Sequence, residues 1–247
     1  MGREAPASVP EEEDMKKKLK LSSQECLIGL SVIYVVVAVT MNIFCMKSLS
    51  FGTSVIICDG GLLISWLVFL ISNVIVEVWD ERTSIVLVTF AAIVSFVVML
   101  IARLIVFIPT LPDYAEQANA FALVFSNGPR TIIASVTAFW LGNFVNVHII
   151  AKIKARIEAR RRDNSGKFFL RAAFSTLVGQ LVDNWVFMTL AFAPIGLSVY
   201  EMAWFDITTA VLSGTVIELV VESCLVPFIT IPVTKWLRNK RAKEAAA

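Results

Sequence analysis

The sequence has little charge and almost no histidine. Charged residues make up only 17% of its 247 positions and hydrophobic residues 57%. A soluble domain of this length carries more charge and interrupts its apolar runs more often. Together with a mean hydropathy of +0.76, this composition excludes an ordinary soluble domain and predicts a polytopic membrane protein. One histidine also excludes a metal site built from several histidines.

The sequence also lacks the short motifs of most enzyme classes. We find no nucleophile with a nearby base, no phosphate-binding loop, no haem-ligand pair and no intramembrane protease signature. The four cysteines, at 26, 45, 58 and 224, have no paired metal-ligand spacing and lie in or beside apolar runs. We therefore predict a protein that is not an enzyme and that uses no metal and no cofactor.

The long apolar runs predict an all-α fold with six transmembrane helices. A bilayer core of roughly 30 Å requires about 20 apolar residues in a helix. Such runs are found at 26–46, 61–79, 85–108, 129–151, 168–193 and 207–233. Pro129 suits the first position of a helix. The basic segment 152–171 is predicted to extend the fourth helix beyond the bilayer and then to turn at 164–166.

The positions of the basic residues predict the orientation. Segment 152–171 is rich in lysine and arginine, and six crossings place it on the same side as Lys16–Lys20 and the basic C-terminal residues. Both termini are then cytoplasmic by the positive-inside rule. We divide the chain into a polar tail at 1–24, a transmembrane domain at 25–235 and a basic tail at 236–247. The basic loop is interpreted as solvated, so no nucleic acid is expected as a partner.

One polar motif occurs twice inside these apolar runs. It reads Gly-Asn-Phe-Val-Asn at 142–146 and Gly-Gln-Leu-Val-Asp at 179–183. In each copy two polar side chains are three residues apart, on one helix face. Unpartnered amides and carboxylates are costly inside a bilayer. We interpret the two faces as the walls of a binding site within the membrane.

Other polar residues extend this inventory. Asn73 and Glu77 are four residues apart, as are Glu218 and Glu222. An ionised carboxylate near a helix centre costs about 2.5–3.5 kcal/mol, so such residues need a partner or a hydrated cavity. Simpler interpretations remain open: a snorkelling helix-end charge at Glu77, and an interfacial anchor at Arg130. The predicted binding residues are Asn73, Glu77, Arg130, Asn143, Asn146, Gln180, Asp183, Asn184 and Glu222.

Several segments together resemble the queuosine precursor transporter family, a vitamin-uptake-like family of bacterial six-helix inner-membrane proteins. Ile-Ser-Asn-Val-Ile-Val-Glu-Val-Trp at 71–79 is similar to its Asp-x-x-x-Glu-Val-Tyr segment. Residues 130–135 and 141–148 resemble its Arg…Ala-Ser and Gly-Gln-x-x-Asp-Val segments. Residues 174–183 resemble its Ser-Thr-x-x-x-Gln-x-x-Asp segment. The chain departs from the pattern with asparagine at 73, 143 and 146, and with Glu218 and Glu222 in the region of a family lysine.

The resemblance implies a transporter in the bacterial inner membrane that imports queuosine precursors or salvage forms. These are 7-deazaguanine bases, queuine or queuosine, so the partner is a purine-like small molecule. A carboxylate can accept the paired N–H donors of a guanine-like edge. We expect Asp183 or Glu77 in that role, and Asn143, Asn146 and Gln180 on the carbonyl and ring nitrogens. The candidates for stacking on the ring are Phe144, Trp185 and Phe187.

Two inverted halves of three helices each would suit alternating access. A second interpretation is the substrate-binding subunit of an energy-coupling vitamin importer, which needs an ATPase module and a coupling partner. A third is a membrane scaffold that does not transport. The sequence leaves open which precursor is carried, whether transport is coupled to protons, the direction of net flux, and whether the chain forms a homodimer.

Overall fold

The computed structural model describes residues 21–45, 47–50, 57–125, 129–159, 165–195 and 201–246. Most of these residues form helices, in agreement with the predicted all-α class. The helices are α1 (Ser23–Phe44), α2 (Leu62–Val78), α3 (Glu81–Val106), α4 (Ala115–Phe125), α5 (Pro129–Ala159), α6 (Ser165–Phe192), α7 (Trp204–Leu225) and α8 (Ile231–Ala245). A 3₁₀ turn at Pro112–Tyr114 precedes α4, and a π-helical turn at Val226–Thr230 joins α7 to α8.

Several helices are long and apolar enough to cross a bilayer. Four candidate spans lie in Ser23–Phe44, Glu81–Val106, Arg130–Glu158 and Trp204–Ala245, and Leu62–Val78 is a shorter apolar helix. The protein is therefore a multi-pass helical membrane protein by length and composition. Each of the six predicted apolar segments overlaps a helix, while the number of crossings and the side of the termini stay predictions.

The distribution of polarity is the reverse of that in a soluble protein. Asn73 and Gln180 are completely buried, whereas Phe90 is 61% and Phe228 80% exposed. In water, a surface with so many exposed apolar side chains would promote aggregation. In lipid it matches its surroundings, and the polar groups are enclosed where other protein groups can satisfy them.

Helix α2 lies at the centre of the bundle. Every residue from Val68 to Val78 is buried, and the helix packs against α1, α3, α5 and α7. Its core neighbours include Tyr34, Phe139 and Ile150. Helix α3 begins immediately after α2 because Asp80 caps it, with one carboxylate oxygen 2.6 Å from the backbone nitrogen of Thr83. The C-terminal end of α2 is therefore connected directly to α3.

Helices α5 and α6 form the longest hairpin. Helix α5 starts at Pro129, as predicted, and continues to Ala159, which confirms that the basic segment extends this helix. Ser165 and Gly166 already belong to α6, so the predicted turn at 164–166 is wrong at these two residues. Asn164 lies outside the described residues.

Helix α4, with the 3₁₀ turn before it, and two shorter features were not predicted from the sequence. Strands β1 (Ser48–Ser50) and β2 (Ile57–Asp59) form an antiparallel pair with Ser48 opposite Asp59. Strands of three residues are too short to show a period-two pattern.

The π-helical turn has Pro227 near its start, and Pro232 follows in α8. A proline has no backbone N–H to donate to the preceding turn, which disrupts regular helical bonding there.

Residues 236–245, within the predicted basic tail, are helical, and the helix packs against the bundle. Leu237 on α8 is buried against α2. Glu244 accepts hydrogen bonds from the backbone nitrogen of Ser23 at 3.0 Å, at the first turn of α1. A carboxylate at this position also interacts favourably with the helix dipole. Helix α8 thus joins the beginning of α1 to the end of α2. Residues 1–20 of the predicted N-terminal tail lie outside the described residues.

Candidate functional site

The two copies of the glycine motif meet where α5 crosses α6. A Cβ atom added to Gly142 would lie 2.8 Å from the carbonyl oxygen of Gly179, and the reverse distance is also 2.8 Å. The same added atoms would lie 2.6 Å from the Cβ of Asp183 and 2.7 Å from the Cβ of Asn146. The two backbones are therefore in direct contact, an approach that only glycine permits.

On one side of this crossing lies a central polar cluster, formed by Ser72, Asn73, Asn146, Thr176, Gln180 and Glu222. All six residues are buried. The side-chain nitrogen of Asn146 donates to the Asn73 oxygen at 3.0 Å and to Ser72 at 3.2 Å. The Asn73 nitrogen donates to Thr176 at 3.1 Å. The cluster joins α2, α5, α6 and α7 through predicted site residues.

Glu222 is the acidic member of the central polar cluster. One carboxylate oxygen accepts from the Thr176 hydroxyl at 2.7 Å and from the Asn73 amide at 3.4 Å. The other oxygen is 3.5 Å from the Gln180 amide nitrogen. The oxygens of Gln180 and Asn146 have no hydrogen-bond partner in the described part of the chain.

A polar cavity lies near the end of α1 and the beginning of α2. It has a volume of about 70 Å³ and includes Asp183, Asn184 and Glu218 in its wall. The carboxylate of Glu218 accepts from the Ser65 hydroxyl and from the Asn184 amide, the latter at 3.1 Å. Asn184 also donates to Thr215 at 3.0 Å. The remaining lining residues are Met41, Asn42, Cys45, Gly61, Leu62, Ser135 and Phe187.

This cavity has the chemistry of a site for a flat polar ligand. Asp183 and Glu218 provide carboxylate acceptors, and the Asn184 amide provides both a donor and an acceptor. Ser135 donates to the Asn42 oxygen across the same cavity. Phe187 supplies an aromatic surface. At about 70 Å³ the cavity is smaller than most small-molecule pockets, which are about 300–1,000 Å³, so a ligand of this class requires the cavity to widen.

The opposite end of α2 is occupied by the Glu77 ion cluster, which we define as Glu77, Arg171 and Arg238. Glu77 and Arg171 have fully buried side chains. Two guanidinium nitrogens of Arg171 donate to the two Glu77 oxygens at 2.7 and 2.8 Å. Arg238 from α8 donates to one of the same oxygens. Glu77 is therefore an ion-paired residue remote from the polar cavity.

Further cations surround the end of α2. The Lys154 amine donates to the carbonyl oxygens of Val76 and Glu77 at 2.8 and 3.0 Å, and Arg241 donates to that of Val78. These carbonyls are among the last of the helix and have no partner within it. The positive charges also interact favourably with the negative end of the helix dipole. The basic residues thus fasten α5 and α8 to α2.

Asn143, a predicted ligand-binding residue, is fully engaged within the protein. Its side-chain oxygen accepts from the Tyr34 hydroxyl at 3.0 Å, and its nitrogen donates to the carbonyl oxygen of Phe139 at 3.0 Å. Both Tyr34 and Asn143 are completely buried. Asn143 therefore connects α5 to α1 and is not among the cavity-lining residues.

Replacing Tyr34 by phenylalanine is expected to lower the free energy of unfolding by about 0.6–1.7 kcal/mol, the range for hydrogen bonds between membrane helices. The loss arises because the Asn143 oxygen keeps its burial and loses its donor. The change is measured by unfolding in detergent. Tyr114→Phe is the matched control because Tyr114 is 57% exposed. Equal effects of the two substitutions would contradict the role of this bond.

Arg130 and the aromatic candidates lie in different places. Arg130 donates to the carbonyl oxygens of Leu190 and Ala193, at 3.1 Å for the latter, and so caps the end of α6. Phe144 stacks between Trp140 and His148 along α5, with centroid distances of 5.3 and 6.1 Å. Trp185 is 43% exposed. Phe187 is the predicted stacking residue that lines the polar cavity.

The structure adds residues that were absent from the predicted site. Arg171 was attributed to the solvated basic loop, although its side chain is completely buried beside Glu77. Glu218 was noted as a membrane carboxylate, and it lines the cavity together with Asn42, Ser65 and Ser135. In the sequence, such residues can be recognised only as polar side chains within apolar runs. This signal is weak for isolated serines, because serine is common where membrane helices pack together. In the described part of the chain, no group of three or more His, Cys, Asp or Glu is placed to hold a metal ion.

Comparison with known proteins finds a matching family model. Residues 59–231 match the model of a family described as "Putative vitamin uptake transporter". Neither the curated proteins nor the solved structures contain a match to the chain. The matched region runs from the end of β2 through the π-helical turn, so it contains the central polar cluster and most of the cavity wall. The chain therefore belongs to this family of vitamin-uptake-type membrane transporters.

Proposed function

We propose that the chain imports a 7-deazaguanine base, or a related queuosine precursor or salvage form, across the bacterial inner membrane by alternating access. The observation that supports this proposal most strongly is the polar cavity, where Asp183, Asn184 and Glu218 converge near Phe187. Both termini would be cytoplasmic by the positive-inside rule. The cavity would then open towards the outer side, where an imported substrate arrives.

Asp183 is the better of the two predicted acceptors for the guanine-like edge. Glu77 is saturated by Arg171 and Arg238, whereas Asp183 is part of the cavity wall. In the proposed complex, the ring N–H and the exocyclic amine of the base donate to one carboxylate in a paired geometry. The Asn184 or Asn42 amide donates to the base carbonyl, and Phe187 packs against the ring.

The test is the queuosine content of tRNA in a bacterial strain that neither makes nor imports the precursors but can insert them. The protein is expressed alone, and the nitrile and aminomethyl 7-deazaguanines, queuine and queuosine are supplied separately at low concentration. Restoration by one compound would show transport without partners and name the substrate. Restoration only after an ATPase module and its coupling partner are added would favour the energy-coupling importer subunit instead.

Asp183→Asn and Glu218→Gln are expected to reduce uptake at least about tenfold. Asp183→Asn removes a charge-assisted hydrogen bond to the ligand, which contributes about 1.5–3 kcal/mol, and Glu218→Gln removes the carboxylate that accepts from the Asn184 amide and so positions it. The measurement is initial uptake at equal membrane expression. Asp206→Asn is the matched control because Asp206 is exposed at the beginning of α7. Uptake by Asp183→Asn equal to that of the control would refute the assigned site.

A further inference from the structure

Glu222 is the most deeply buried carboxylate near the polar cavity. Only 1% of the residue is exposed, and it lies one helical turn beyond Glu218, on the side towards the Glu77 ion cluster. Its hydrogen-bond partners come from Asn73 and Thr176, with Gln180 at the limit of bonding distance. These partners are neutral amides and a hydroxyl, so they provide no charge to neutralise an ionised carboxylate.

In the described part of the chain, no lysine, arginine or histidine forms an ion pair with Glu222. Glu77, by contrast, has two arginine partners. Charging an unpaired carboxyl in a bilayer interior is costly, and such groups are normally neutralised. Among the charged groups on the elements that pack around Glu222 are Glu218 on the same helix, Asp183 and Arg171 on α6, Glu77 on α2 and Arg238 on α8. The arginines among them belong to the Glu77 ion cluster.

A second observation indicates where a neutralising proton would go. The Gln180 side-chain oxygen is buried and has no donor among the residues that the structure describes. The nitrogen of the same amide is only 3.5 Å from the second Glu222 oxygen, for which the described residues provide no closer partner. The two ends of an amide are exchanged by a simple rotation. With the amide reversed, a proton on this Glu222 oxygen is donated to the Gln180 oxygen, and a weak contact becomes a hydrogen bond.

We propose that Glu222 is the proton-binding carboxyl through which transport is driven. This inference rests on the proposed function and adds an ion site to it, adjacent to the ligand site but distinct from it. A proton entering through the polar cavity binds the Glu222 carboxylate and gives the neutral acid. The acid releases the proton when the opposite end of the bundle opens. No covalent bond other than the O–H bond forms or breaks.

The first experiment requires no substrate. Infrared spectra of the purified full chain in detergent, recorded at neutral and alkaline pH, report the C=O stretch of a buried protonated carboxylic acid. This band is expected in the wild type and in Glu218→Gln and absent in Glu222→Gln. A band that persists in Glu222→Gln would overturn the proposal, as would the absence of any such band in the wild type.

The second experiment measures accumulation of the nitrile-bearing 7-deazaguanine in proteoliposomes. An inward gradient of about one pH unit stores about 1.4 kcal/mol per proton and sustains about tenfold accumulation with one proton per substrate. The wild type is expected to approach this ratio, and Glu222→Gln to lose the dependence on the gradient. Glu222→Asp should recover part of it because the acid is retained.

These outcomes separate the ion site from the transport proposal. Uptake that follows a sodium gradient at equal pH, or that ignores both gradients, would overturn the proton site while leaving the transporter intact. If the wild type took up none of the four queuosine-related compounds, the proposed function would fail. The infrared comparison would then still decide whether Glu222 binds a proton.

Discussion

Replacing Gly142 by alanine is expected to force α5 and α6 apart and to lower the free energy of unfolding by about 1–3 kcal/mol or more. The new methyl group would lie 2.8 Å from the carbonyl oxygen of Gly179, a backbone atom that cannot move without its helix. The displacement would reach Asp183, whose Cβ atom is 2.6 Å from the added carbon. We therefore expect loss of uptake as well as of stability, measured by unfolding in detergent and by transport.

Two other glycines provide matched controls for this substitution. An added Cβ at Gly29 has nothing within 4 Å, and at Gly214 its nearest neighbour is 3.7 Å away. Gly29→Ala is expected to be neutral or to stabilise α1 by up to about 1 kcal/mol, because alanine favours helix more than glycine does. Gly179→Ala should behave as Gly142→Ala does. If Gly142→Ala changed the free energy of unfolding no more than Gly29→Ala does, the close contact between α5 and α6 would be disproved.

Replacing Arg171 by glutamine is expected to cost about 3–5 kcal/mol, because it removes one partner of a buried ion pair. The Glu77 carboxylate is completely buried and would retain only Arg238, whose side chain is 37% exposed. Glu77→Gln should have a comparable effect, since it leaves the Arg171 guanidinium without its carboxylate. Unfolding in detergent gives the free energies, provided that the variants reach the membrane.

A double-mutant cycle isolates the ion pair from other effects of the substitutions. Glu77→Gln combined with Arg171→Gln should cost less than the sum of the two single changes, because no uncompensated charge remains between them. Arg103→Gln is the control: Arg103 lies 5.0 Å above the Phe107 ring, a contact that contributes about 1 kcal/mol or less at a partly exposed site. Additive effects, or an Arg171→Gln variant as stable as the control, would contradict the assignment.

The helices could be predicted from the sequence because their signal is local. Runs of apolar residues located α1, α2, α3, α5, α6 and α7, and Pro129 marked the beginning of α5. The two glycine motifs were also recognised before their contact was known. Spacing of three or four residues places side chains on one face of a helix, but it does not say which neighbour that face meets. For this reason the motifs were interpreted as walls of one site. Their glycines instead form a helix contact, and their polar side chains lie in three environments: Asn143 beside Tyr34, Asn146 and Gln180 in the central polar cluster, and Asp183 in the cavity wall.

The partners of individual side chains could not be predicted for the same reason. Arg171 was grouped with the surrounding basic residues, because a charge at the end of a helix ordinarily reaches solvent. Its pairing with Glu77 depends on how α2 and α6 pack, which no local pattern contains. Likewise, Asn42 and Ser65 line the polar cavity only because of how α1 and α2 are placed in the bundle. Asp183 needed no such information, since a carboxyl near the middle of an apolar run is unusual by itself.

The ion cluster at the end of α2 has a consequence for biosynthesis. Glu77 is separated from Arg171 by 94 residues and from Arg238 by 161. At about 5–20 residues per second, the ribosome takes about 5–20 s to add the first partner after Glu77. Until then the carboxylate has neither arginine partner and must stay near the lipid headgroups, where it can reach water. Helix α2 is thus made early but reaches its final depth only when α6 and α8 arrive, so the centre of the bundle is completed last.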